Sequence, residues 1–359
     1  MGRTVLETDV LVVGLGPGGG SAAWQAARGG ARVLAVERNR RVGEPVQCAE
    51  FIPNPMGAYA QPEGVRVQPI TGMKSVLPSG SAVDTDFPGI MIDRARFDRA
   101  IADRAAEAGA ELWTGARLVG LDASARLATI RHKERGRDLQ VHYRCLVAAD
   151  GPHSPVAAAM GLAALELVYT RQYTCRLKAP YAATDVWLSD EFPGGYGWLF
   201  PKGDVANVGM GADKRFEDNL KGPLERLHGQ LVSDAVVDEA VLYRTGGAIP
   251  VGGLRERLAV DSTLFVGDAA GLTHPITGAG ISAAVVSGER AGQAAAAWLG
   301  GDAEAFEDFE EDVRDQYEVT LARAVERRAF LLGHWRTPRA NEDRIQRRGW
   351  IAFDEYFAP

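Results

Sequence analysis

Asp9-Val10-Leu11-Val12-Val13-Gly14-Leu15-Gly16-Pro17-Gly18-Gly19 is an apolar run that breaks into a glycine turn. A second apolar run, Arg32-Val33-Leu34-Ala35-Val36, ends at Glu37. Strand, glycine turn, helix, strand and terminal acid, in that order, form the unit that holds the ADP half of a dinucleotide. Gly14 allows the tight turn, Gly16 lets the backbone approach a pyrophosphate, and Gly19 lets the helix close onto the strand. The helix is expected over about 18–28, its free N–H groups and partial positive charge facing the phosphates. Glu37 can accept hydrogen bonds from the ribose hydroxyls. An isolated G-x-G-x-x-G says little; this one has its strands, its helix and its acid at the right distances.

A chain of 359 residues has room for one large or two modest domains with a sizeable core. Its net charge of -7 argues against nucleic acid as a partner. The N-terminal apolar run is too short for a signal peptide, and no apolar stretch is long enough to span a membrane. The 3 cysteines, Cys48, Cys145 and Cys175, are too scattered for a disulfide framework, and the 6 histidines have no ligand spacing. A cytoplasmic setting is expected. Cys145 and Cys175 read as core residues.

Residues 39–92 read as loops and short strands. Phe97, Ala100, Ile101 and Ala105 recur at helical spacing before Gly109. Strands are expected over 111–122, 128–133, 140–143 and 145–149, then 169–178, 185–188, 197–200 and 206–211, with a helix near 216–232. A strand at 263–266 and a long helix from about 279 return the chain to the first domain. The acidic block 304–318 and the basic block 323–348 read as solvated helix faces.

Two more glycine-punctuated strand ends accompany the first. Asp150-Gly151-Pro152-His153-Ser154 follows the run Cys145–Ala149, and Leu264-Phe265-Val266-Gly267-Asp268-Ala269-Ala270-Gly271 precedes Pro275 and Gly278-Ala279-Gly280-Ile281. Asp268 can bind a sugar-alcohol hydroxyl, and the helix that follows can stabilise negative charge on a reduced isoalloxazine ring. The three elements together imply a flavin, and recognition of the adenylate makes it FAD.

In this order they resemble the FAD-dependent group of aromatic hydroxylases, flavin halogenases and geranylgeranyl reductases, over nearly the whole chain. Arg41-Val42-Gly43-Glu44-Pro45-Val46-Gln47-Cys48-Ala49-Glu50 looks like the R-x-G-x-P-x-x-C-G-E loop of the geranylgeranyl reductases. Phe192-Pro193-Gly194-Gly195-Tyr196-Gly197-Trp198-Leu199-Phe200-Pro201-Lys202-Gly203 looks like their P-x-x-Y-x-W-x-F-P-K-G segment. The resemblance implies an α/β fold: a Rossmann-type FAD-binding domain (1–75, 93–160 and 255–300), an inserted antiparallel-sheet substrate domain (76–92 and 161–254) and a helical C-terminal region (301–359). It implies an FAD site of Gly14, Gly16, Gly18, Gly19, Glu37, Arg38, Cys48, Ala49, Arg94, Leu118, Asp150, Asp268, Gly280 and Ile281. Ala49 stands where the family has glycine, and Ala279 where these reductases commonly have glutamate.

The expected reaction is hydride transfer from reduced flavin to C=C bonds of an isoprenoid chain. An unactivated alkene demands close positioning and a dry site. Cys48 is a candidate proton donor or positioning group. Tyr196 and Trp198, two apart on a strand, would share one face and wall an apolar tunnel. His274 would shuttle a proton or serve as a structural imidazole. No second strand–G-x-G-x-x-G–helix unit is found, so NAD(P)H would dock transiently, or an electron-carrier protein would supply the electrons. The substrate is expected to be a hydrophobic small molecule or lipid, reached through a peripheral membrane contact for which the basic C-terminal region is the candidate. A flavin monooxygenase acting on an aromatic ring or a protein tryptophan, and an electron-transfer flavoprotein, remain as alternatives.

Overall fold

In the computed structural model, residues 5–134 and 136–358 are described. Residues 1–4, with which the expected first segment begins, lie outside them.

The continuous apolar runs identified above become the middle of a six-stranded sheet. Strands Val10–Val13, Val33–Glu37, Cys145–Ala148 and Glu111–Thr114 run parallel with Thr263–Phe265, and Ala259–Val260 closes one edge antiparallel. Every residue of Val10–Val13 and Cys145–Ala148 is buried, as a sheet covered on both faces requires. Strand Val10–Val13 lies between 33–37 and 145–148, so its two neighbours follow it in chain order on opposite sides. Such a reversal opens a crevice at the carboxyl ends of the strands, and the glycine turn 14–16 sits there.

Helix Pro17–Arg28 packs between helices Arg94–Glu107 and Ile281–Leu299. The last contact is backbone against backbone: a Cβ on Gly288 would strike the Gly18 carbonyl, and one on Gly292 the Ala22 carbonyl. An outer sheet of Val5–Glu7, Arg137–His142, Leu127–His132 and Ala116–Asp122 lies to one side. The expected strand over 111–122 is therefore two strands in two sheets, divided at Gly115, whose φ of +64° turns the chain.

A large sheet of eight strands carries Leu167–Leu177, Val205–Ala212, Gly197–Lys202 and Thr184–Trp187 at its centre. Alternation gives it two faces. Tyr173, Cys175, Leu199 and Val208 pack beneath helix Lys221–Ser233, while Thr170, Gln172, Thr184, Val186, Trp198 and Phe200 face a cavity. The helix expected from 216 begins at 221, because Asp213 and Asn219 accept backbone N–H groups of Arg215 and Gly222 and hold a turn there. Strand Val237–Thr245, at the edge of this sheet, escaped notice. Strands Met73–Val76 and Ala82–Thr85 extend the other edge, and Phe51–Pro53, Arg66–Ile70 and Gly89–Ile92 form a small separate sheet.

The acidic block and the first part of the basic block form one helix, Ala305–His334. Solvation does not describe all of it: Arg327 and Arg328 are buried. Arg328 pairs with buried Asp213 at 2.9 Å and donates to the Gly194 carbonyl, and Arg327 donates to the carbonyls of Tyr356 and Ala358. These two arginines fasten the helix to the large sheet and to the C-terminal segment. Cys145 and Cys175 are buried core residues, as expected.

Candidate active site

One cavity of about 600 Å³ runs from the glycine turn to the large sheet. Of the residues named from sequence, Gly16, Gly18, Cys48, Ala49, Arg94, Tyr196, Trp198, Asp268, His274, Gly280 and Ile281 all line it. Five separate stretches of chain are thereby brought to one place.

The nucleotide end is shaped by what glycine leaves out. Gly14 takes φ +98°, and any side chain there would meet the Ala149 carbonyl. A Cβ on Gly19 would run into the Gly14 carbonyl, whereas one on Gly16 would meet nothing within 4 Å. Gly14 and Gly19 thus let protein approach protein, and Gly16 leaves open space for a ligand. Helix 17–28 starts at Gly16 with no side-chain cap, and helix 281–299 starts at Gly280 in the same way. Two helix N-termini with free N–H groups therefore face one cavity, which suits the phosphates of a dinucleotide and an anionic ring. Glu37 accepts from Leu15 N–H at 3.1 Å and Asn39 N–H at 2.8 Å, which ties its carboxylate to the turn. Asp268 accepts from the Thr273 hydroxyl at 2.7 Å; burial raises its pKa, against that hydrogen bond and the Arg94 charge. The donor set and the open glycine cradle fit FAD.

Leu118 and Asp150 sit differently. Leu118 is buried in the core of the nucleotide half rather than in the cavity wall. Asp150 accepts from Val156 N–H at 2.8 Å at the start of helix Pro155–Ala159, while its neighbours Ala149 and Gly151 line the cavity. Arg38 is exposed beyond the end of its strand.

The loop carrying Cys48 is held from the large sheet. Gln172 Nε2 donates to the Cys48 carbonyl at 3.1 Å, and Trp198 Nε1 donates to Gln172 Oε1 at 3.1 Å. Glu50, at φ +71°, accepts from Lys202 Nζ at 2.7 Å, Arg94 N–H at 2.9 Å and Asn207 Nδ2 at 3.1 Å, while its own N–H donates to Cys48 Sγ at 3.2 Å. A non-glycine residue in the left-handed region costs about 1 kcal/mol, and this network offsets it. The Cys-Ala-Glu loop and the Phe-Pro-Lys segment, noted separately in the sequence, are joined here by the Glu50–Lys202 ion pair. Gln172, Asn207 and the role of Glu50 were missed; only the presence of Glu50 and Lys202 at the ends of the two motifs hinted at it.

The titratable groups differ in what they can give. Burial pushes the Cys48 thiol up, opposed by the Arg94 charge, so the group is a thiol at neutral pH. Burial pulls Arg94 down, but Asp98, 2.7 Å from its Nε, outweighs this and keeps it charged. Burial raises Tyr196, whose hydroxyl donates to the Thr277 carbonyl at 2.6 Å. His274 is pushed down to about 4 by burial, and its Nδ1 accepts from Thr277 N–H at 3.2 Å. A neutral, engaged imidazole has no proton to release at pH 7. Among the four side chains considered for chemistry, only Cys48 combines an available proton with a neighbouring cation.

Fold and cavity together define an FAD-dependent oxidoreductase, and the sequence model of that family, described as FAD dependent oxidoreductase, matches residues 9–172. The chain is 35% identical over 331 residues to the digeranylgeranylglycerophospholipid reductase of Methanocaldococcus jannaschii, covering 86% of this chain and 81% of the relative. It therefore belongs to the geranylgeranyl reductase family. A geranylgeranyl bacteriochlorophyll reductase-like protein from Thermoplasma acidophilum matches with a TM-score of 0.82 and 29% identity over 91% of this chain and 88% of that one. A probable FAD-dependent monooxygenase from Pseudomonas aeruginosa matches at TM-score 0.70 and 19% identity, over 93% and 98% of the two chains, which is likeness of fold alone.

Proposed function

We propose that this protein reduces C=C bonds in the isoprenoid chains of a lipid-type substrate, with Cys48 as the proton donor. The observation that carries the proposal is the cavity: the two free helix N-termini, the Cys48 thiol and an aromatic wall of Tyr196 and Trp198, 5.6 Å apart, line one mostly apolar space. The relatives support the same reading over hydroxylation.

FAD, when bound, supplies hydride chemistry. The chain itself would hold the cofactor through Gly14, Gly16, Gly18, Gly19, Glu37 and the two helix ends, with Asp268, Gly280 and Ile281 beside the ring. Phe51, Phe87 and Phe200 stand together in the cavity wall, Phe51 stacked on exposed Phe87 at 5.9 Å and 6.1 Å from Phe200. They offer an apolar chain an entrance. Tyr196 and Trp198 keep its double bond dry and still. Burial keeps the proton on Cys48 Sγ until the alkene carbon needs it, and the Arg94 guanidinium stabilises the thiolate left behind.

Delivery of such a substrate implies peripheral contact with a membrane from the cytoplasmic side; among the described residues no helix is long and apolar enough to cross one. Electrons would arrive from NAD(P)H or a small carrier protein. The test is anaerobic: chemically reduced holoprotein is mixed with a polyprenyl glycerol ether and the flavin absorbance followed. Reoxidation matched by loss of double bonds is the expected result. Flavin that stays reduced until oxygen is admitted would sink the reading.

A further inference from the structure

The C-terminal segment contributes to the cavity wall. Trp350 and Ile351 line it, as do Phe51 and Phe87. Trp350 is 3% exposed, its ring centroid lies 4.9 Å from that of Tyr196 in an edge-on arrangement, and it packs with Met73, Val186 and Trp198. It is also locked. Its Nε1 donates to the fully buried Ser75 Oγ at 3.1 Å, which fixes the ring plane. Gly349, just before it, lies so close to the Leu331 side chain of helix 305–334 that a Cβ there would meet it. Further along the chain the segment is held by the bonds from Arg327 to the carbonyls of Tyr356 and Ala358.

Beside this wall is a second, much smaller cavity of about 10 Å³, lined by Leu188, Ile276 and Leu331 together with the buried polar residues Arg328 and Gln346. Tyr196 and Trp350 are among the residues that line both spaces. An indole is far bulkier than this recess. Removing it would join the two volumes.

From this arrangement we propose that Trp350 is the end stop of the substrate cavity and sets the length of isoprenoid chain that the site accepts. The inference rests on the reading of the protein as a prenyl reductase. A chain that enters past Phe87 and lies over the Cys48 loop is stopped by the indole face. The double bond presented to Cys48 is then the one at a fixed distance from that stop. Trp350 would act on specificity through shape, with no part in proton or hydride movement.

The test uses FAD-loaded protein and a series of glycerol ethers carrying two, three, four and five isoprene units, with anaerobic reduction measured for each. For Trp350→Ala, kcat/KM for the longest chain relative to the shortest is expected to rise about tenfold or more, since each added apolar group in a fitted pocket discriminates by that order. Trp350→Phe, which keeps an aromatic wall of smaller size, is expected to move the ratio in the same direction by less, and it carries the test if the alanine variant fails to fold. Equal loss at every chain length in the folded variants would overturn the proposal and leave Trp350 a packing residue. If the wild-type protein reduced none of the ethers, the parent reading would fall and the end stop with it. A wild-type protein that reduces them, with an unchanged length profile in both variants, overturns the end stop alone.

Discussion

At the nucleotide end of the cavity, backbone meets backbone: Gly14 against Ala149, Gly19 against Gly14, Gly288 against Gly18. At the substrate end, large side chains meet large side chains: Tyr196 and Trp350 ring to ring, Trp198 bonded to Gln172, and Lys202 bonded to Glu50. At Gly14, Gly19 and Gly288 the first end has no room for a Cβ. The second is a set of volumes and hydrogen bonds that other residues could satisfy differently, which suits a wall that must be fitted to a particular chain.

Gly19→Val should have the largest effect. Its side chain would enter the Gly14 carbonyl, and purified protein is expected to be colourless, with a lowered melting temperature by calorimetry. Gly16→Ala sharpens the contrast, since its new methyl meets no protein atom: the apoprotein should melt normally while FAD binds more weakly. A normal, yellow Gly19→Val protein would break the account of this end.

Next in size is Cys48→Ala, expected to retain FAD and lose about 10² to 10³ in anaerobic turnover, the scale of a removed general acid. Because burial raises this thiol, wild-type turnover should be flat across neutral pH and decline only on the alkaline side of the ordinary thiol range. An acid-side decline with no alkaline one, in stopped-flow pH profiles, would point to another donor.

Lys202→Met leaves Glu50, 5% exposed at its side chain, without its cation. Breaking a buried pair from one side costs about 3 kcal/mol, visible as a lower urea midpoint. Since Glu50 N–H contacts Cys48 Sγ, the same variant should also speed alkylation of Cys48. An unchanged midpoint would show that the two motifs are not braced by this pair.

The smallest effect is expected at His274. Its folded pKa of about 4 lies below the ordinary value of 6.5, so between these the unfolded chain binds a proton the native one does not. Stability should accordingly be full above pH 6.5 and fall as the pH drops towards 4. His274→Gln should remove part of that decline, measured as the difference in urea midpoints, and leave turnover near pH 7 within severalfold of wild type.

This difference between the two ends also explains what could be read in advance. Glycine requirements are backbone requirements, so Gly14, Gly16 and Gly19 announce themselves in eleven consecutive residues, together with their strand. The parity of Tyr196 and Trp198 was legible for a similar reason, since strand alternation fixes it locally. Gln172 is an ordinary polar residue until the fold brings it to Cys48, 124 positions away. Trp350 and Ser75 meet across 275. No local pattern encodes such meetings. Strand 237–245 was overlooked because it is an edge strand whose outward residues, among them Asp238, Glu239 and Arg244, carry charges that suppress the usual apolar alternation. The buried arginines of helix 305–334 were misread for the converse reason: a run of charges resembles a solvated face unless its partners, here Asp213 and two C-terminal carbonyls, are known.

Addition of hydrogen to an isoprenoid double bond in this cavity can be followed by mass spectrometry of the lipid after a single anaerobic turnover of reduced holoprotein in deuterated water. The expected product has gained two hydrogens at one double bond and carries the solvent label, since the Cys48 proton and the hydrogen of a chemically reduced flavin both exchange with water. Recovery of unchanged lipid, or a product formed only in air and carrying an added oxygen, would contradict the claim.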